Sequence, residues 1–94
     1  MGSVNFFDRS SGKTAKEAFS RARSEAIEAY GNHGYTGTIA EKDSFVMFQD
    51  DPNRDIFEYT EELLDHPKIS SKWDPAGCIQ TGPESFVFFG WAAD

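Results

Sequence analysis

Apolar positions along this chain switch between two periods, and the switches mark out its elements. Val4, Phe6 and Phe7 predict a short strand over residues 4–8, closed by the turn-forming run Ser10-Ser11-Gly12-Lys13. Ala15, Ala18, Phe19, Ala22, Ala26, Ile27 and Tyr30 then recur at steps of three and four, which gathers them on one helix face. Thr14-Ala15-Lys16-Glu17 in front of them has the form of a capping box, in which each end residue satisfies the other's backbone N–H. Gly31 suits the position that ends such a helix. Residues 35–40 and 45–49 read as two strands joined by the polar turn Glu41-Lys42-Asp43-Ser44. Phe45-Val46-Met47-Phe48 is apolar on both sides, as expected of an interior strand. Asp50-Asp51-Pro52 supplies acids and a proline suited to a helix start. A second helix is predicted from there through Asp65, with Ile56, Phe57, Thr60, Leu63 and Leu64 inward, and Pro67 bars its continuation. Residues 77–81 and 85–91 form a second hairpin around Gly82-Pro83, with Phe86-Val87-Phe88-Phe89 as a central strand.

The predicted order is β-α-β-β-α-β-β. It implies an α+β fold: a two-layer sandwich with a mostly antiparallel sheet of four to five strands and two helices on one face. Strands that are apolar on both sides need cover on both faces. The second face is therefore expected to be closed by Trp73, Trp91 and the long loops, or by a second copy of the chain in a homodimer.

Length changes this picture little: 94 residues make one domain, burying about 60–65% of the unfolded surface. Nine Phe, three Tyr and two Trp supply large buried area per residue. Cys78 is the only cysteine, which excludes an internal disulfide and favours a reducing compartment. No apolar run approaches the ~18 residues of a membrane span, and residues 1–7 lack the basic and apolar regions of a signal peptide. The reading is a cytoplasmic protein that does not engage membrane.

Charge is more telling. The net charge is −7, and it is segregated. The first 23 residues are mainly basic, whereas 41–66 carry Asp50, Asp51, Asp55, Glu58, Glu61, Glu62 and further acids against Lys42 and Arg54. An acidic chain repels phosphate backbones, so direct nucleic-acid binding is not expected. Carboxylates spaced along a helix instead offer Arg and Lys of a protein partner the pattern that nucleic-acid phosphates would offer. Asp50, Asp51, Asp55, Glu58, Glu61 and Glu62 are the candidate partner-binding set.

Glycine recurs at 31, 34 and 37, a spacing that suits neither helix nor strand interior. His33, Gly34, Tyr35, Thr36, Gly37 and Thr38, with Lys42, combine an imidazole, hydroxyls and permissive backbone, and form the candidate site for a small anionic, nucleotide-like ligand. Ser11-Gly12-Lys13-Thr14 matches the end of a P-loop, but the first glycine of that motif would fall on Phe7. A turn followed by a helix cap accounts for it, leaving only a weak attraction of Arg9, Lys13 and Lys16 for anions. His33, His66 and Cys78 have no metal-ligand spacing, so neither metal nor cofactor is expected. No nucleophile–base set or carboxylate pair stands out, which argues against an enzyme.

The segment Gly34-Tyr35-Thr36-Gly37-Thr38-Ile39-Ala40-Glu41-Lys42, with the aromatic run Phe88-Phe89-Gly90-Trp91-Ala92, resembles small uncharacterised proteins of phages and mobile elements. The resemblance implies an accessory or host-directed protein that acts by binding in the host cytoplasm, and it transfers no functional residue. The leading expectation is thus a non-enzymatic inhibitor of a basic protein partner. The alternative is a protein that sequesters a nucleotide-like ligand.

Overall fold

The computed structural model describes residues 2–31 and 35–94. It contains β1 (Ser3–Ser11), α1 (Ala15–Tyr30), a 3-10 turn (Ile39–Glu41), β2 (Phe45–Phe48), α2 (Ile56–Leu63), β3 (Ala76–Gly82) and β4 (Ser85–Ala93). The fold is α+β, with two helices and a four-stranded mixed sheet in the order β1-β4-β3-β2. β4 pairs antiparallel with both β1 and β3, whereas β2 runs parallel to β3.

Helix α1 forms where the pattern places it, for the anticipated reasons. Thr14 Oγ1 accepts from the Glu17 N–H at 3.1 Å, and Gly31, at φ 82°, closes the helix by donating its N–H to Ile27. Ala18, Phe19, Ala22 and Ala26 are buried against Phe6, Cys78, Phe86, Phe88 and Ala92 on one face of the sheet. The alanines let the helix backbone approach the sheet closely, so the phenylalanines fill the space between.

Alternation along β4 sends Val87 and Phe89 to the opposite face, where they meet Ile79, Leu64 and Ile69, flanked by Phe7, Phe48, Ile56, Tyr59, Leu63 and Trp91. That face is covered by α2 and the turn after it. Where the sequence expectation set both helices on one face, α2 therefore takes the other. The cause is topology: β1 to β2 and β2 to β3 are both crossovers between parallel strands but run in opposite directions across the sheet, so right-handed connections place α1 and α2 on opposite faces. Trp91 fastens this cover by donating from Nε1 to the Leu64 carbonyl at 3.0 Å. Among the described residues, α2 rather than a second copy of the chain is what packs on this face.

Four local expectations are corrected. Residues 35–40 form no strand: Gly37 at φ 73° turns the chain, and Thr38 caps the 3-10 turn by accepting from the Ala40 N–H. β2 lies at the sheet edge, its two apolar sides explained by Phe45 facing the α1 cluster and Phe48 the α2 cluster. The second helix begins at Ile56, because Asp55 is its N-cap and accepts from the Glu58 N–H. Asp50 and Asp51 thus precede the helix, with the Asp51 carboxylate holding a turn through the Asn53 N–H. Finally, Phe57 and Trp73 do not close the core: they are 50% and 66% exposed.

Candidate functional site

Two places gather the residues singled out above. The first is the segment from Tyr35 to Ser44, which folds against the end of β4. Gly37 donates its N–H to the Ala93 carbonyl and to Glu41 Oε2, while Glu41 Oε1 accepts from the Ala93 N–H at 2.9 Å. Both carboxylate oxygens of Glu41 are therefore engaged by backbone donors, and the loop is pinned. Thr36 and Thr38 hydroxyls bond each other at 2.8 Å. A Cβ on Gly37 would stand 2.9 Å from Val4 Cγ1, so this glycine serves both a positive φ and a close approach. His33 and Gly34 lie outside the described residues.

Lys42 is the unusual member, a lysine only 3% exposed. Its Nζ donates to the carbonyls of Lys72 and Asp74 at 2.9 and 2.7 Å. Burial pushes its ammonium below the usual lysine range, against the opposing pull of Glu41 and Asp74. The two carbonyls flank Trp73, so the lysine clamps the turn that presents this indole. That turn is further tied by Ser71 N–H to Asp74 Oδ2, Asp74 N–H to the Ser71 carbonyl and Trp73 N–H to Ser71 Oγ. Between this turn and residues 41–44 lies a cleft of about 560 Å³ whose wall includes Tyr35, Asp43, Ser44 and Trp73. Tyr35, 55% exposed, meets Trp73 edge to face with centroids 6.2 Å apart.

The sequence-predicted ligand set is thus divided. Tyr35 and Lys42 line this cleft, whereas Thr36, Gly37 and Thr38 line a second, of about 510 Å³, between β1 and α1. Asp8 and Glu25 share that second cleft, and burial, then the Glu25 charge, raises the Asp8 carboxyl above its ordinary range. Trp73 and Lys72 were missed as site residues. The readable signal was Ser71-Lys72-Trp73-Asp74-Pro75, a Ser/Asp/Pro turn that leaves an aromatic at its tip.

The second place is the outer side of α2. Glu58, Glu61 and Glu62 are exposed there around the half-exposed Phe57, which packs edge to face on Phe7. Their roles differ. Asp55 caps the helix, Asp51 holds the turn before it, and Glu62 pairs with Arg54, which also lies over the Tyr59 ring. Among the described residues no ion pair involves Glu58 or Glu61.

Comparison with known families, curated proteins and solved structures finds no match to this chain. Among the described residues no three His, Cys, Asp or Glu side chains gather where a metal ion could sit. No helix among them is long and apolar enough to cross a membrane. Cys78 is fully buried, and burial pushes its thiol up to about 12, so it stays protonated and unreactive at neutral pH. Gly12, in the P-loop-like run, packs on the start of α1, where a Cβ would stand 2.8 Å from the Ala18 nitrogen, and its N–H is already taken by the Glu84 carbonyl.

Proposed function

We propose that this chain is a small non-enzymatic binding protein that docks a basic protein surface through the outer side of α2. We propose further that it acts as an accessory inhibitor in the cytoplasm. The carrying observation is the pair Glu58 and Glu61, exposed and free of ion pairs among the described residues, beside the half-exposed Phe57. An aromatic anchor rimmed by unspent carboxylates is a combination that binds basic partners, with charge setting rate and specificity and the ring adding contact area. The expectation of a small anionic ligand at residues 33–38 and Lys42 has less support. Thr36, Gly37, Thr38 and Lys42 each already serve a contact within the chain.

The test is binding of an acetylated hexa-arginine peptide, followed by calorimetry between about 0.1 and 1 M salt, where the Debye length falls from about 10 to 3 Å. Affinity should drop steeply with salt. Joint Glu58→Lys and Glu61→Lys substitution should weaken it roughly tenfold at the low-salt end, the loss of about 1.4 kcal/mol. Binding indifferent to salt and to both reversals would refute the proposal.

A further inference from the structure

We propose that the cleft between residues 41–44 and 72–75 receives an arginine or lysine side chain of the partner, with the Trp73 ring as its seat. This rests on the reading that the partner is basic, and it locates a second anchor away from α2. Trp73 belongs to neither core cluster and is 66% exposed, yet its turn is tied down by hydrogen bonds. Lys42 grips the carbonyl on either side of it, and three further hydrogen bonds close the turn from Ser71 to Asp74. Folding gains little from ordering an indole that is mostly in water. A partner gains much, because a rigid, pre-positioned aromatic loses little entropy on binding.

The occupant follows from charge. The face of an indole attracts cations, and here one is already in place: Lys72 Nζ lies 5.3 Å from the Trp73 centroid, while also donating to the Gly2 carbonyl. Around the cleft Glu41, Asp43 and Asp74 outnumber Lys42 and Lys72. The Lys42 ammonium is turned to carbonyls, whereas Asp43 is exposed and has no ion pair among the described residues. An incoming guanidinium or ammonium would displace Lys72 from the ring and meet Asp43 at the rim. A volume of about 560 Å³ accommodates such a side chain with its neighbours.

Trp91→Phe leaves Trp73 as the single tryptophan, so its fluorescence reports on the cleft alone. Titrating hexa-arginine peptide into this variant should quench that emission saturably. Lys72→Ala removes the internal competitor and should tighten binding by about two- to fivefold, while Asp43→Asn should weaken it by a similar factor. Trp73→Ala, read by calorimetry in the unmodified background, should lower affinity by at least as much. Adenosine monophosphate is the opposing probe. Saturable quenching by the nucleotide but not the peptide, or weaker peptide binding on Lys72→Ala, would overturn the proposal in favour of an anion site. Quenching that survives Glu58→Lys and Glu61→Lys supports the cleft even where the α2 reading fails. Loss of affinity on those reversals with no Trp73 response overturns the cleft and leaves α2 standing.

Discussion

Replacing Lys42 with methionine tests whether the buried ammonium is what holds the Trp73 turn. Methionine keeps the apolar stem as far as the ε position and lacks only the terminal ammonium, so packing is largely conserved and the change isolates the two hydrogen bonds to Lys72 and Asp74. A hydrogen bond from a charged donor contributes about 1.5–3 kcal/mol. Two would sum to about 3–6 kcal/mol, but removing a desolvated charge returns part of this, and the freed carbonyls of a surface turn can take water. The expected net loss is about 2–3 kcal/mol. For a domain of this size that lowers Tm by roughly 8–24 °C, at about 4–8 °C per kcal/mol. Urea unfolding followed by far-UV circular dichroism gives the free energy, and acrylamide quenching of the native variant reports on Trp73. Quenching should increase, because the turn loses its clamp while the distant Trp91 is held by Leu64. A variant within about 0.5 kcal/mol of the parent, the range of an ordinary surface change, with unaltered quenching, would refute the clamp.

Two further predictions probe the sheet and its electrostatics. Gly77→Ala would put a Cβ 2.6 Å from the ring of Phe89, which is 1% exposed, so the protein should lose about 1–3 kcal/mol in urea unfolding, partly restored by Phe89→Leu. Asp8 has a folded-state carboxyl raised above its ordinary 3.8, so its ionisation opposes folding: the stability tied to its protonated form is complete below 3.8 and is lost as pH rises through the raised value. Asp8→Asn should accordingly stabilise the protein at neutral pH and give no gain below pH 3.8, and an equal gain at both would refute this.

What the sequence discloses here is mostly what is local. Thr14, the spaced alanines and Gly31 set α1 almost to the residue, because cap, face and stop lie within one segment. The Gly82-Pro83 hairpin is equally self-contained, and Phe86 to Phe89 are buried at the sheet centre as their pattern implies. The segment from Tyr35 to Glu41 misleads because its conformation is fixed from afar: Glu41 reaches Ala93, 52 positions away, and no alternation of Thr and Gly announces that contact. The edge position of β2 was hidden for a related reason. An apolar run reports that both faces are covered, not that both edges are paired. The start of α2 was legible, since Asp55-Ile56-Phe57-Glu58 carries an acid at each end of a capping spacing, but the nearby Asp50-Asp51-Pro52 gave a rival signal. Of the candidate site, charge segregation foretold the acids on α2. Trp73 could not be ranked among the aromatics, because burial of a lone tryptophan depends on packing from elsewhere.

β1 has one hydrogen-bonded neighbour, β4, whose residues pair with it from Ser3↔Ala93 to Ser11↔Ser85. The first strand of the sheet must therefore wait for the last. During synthesis, the segment carrying α1 and its apolar face is made well before β4 emerges to receive it. Folding should therefore wait on residues 85–93 and be governed by closure of the long loop that brings them back to residues 3–11.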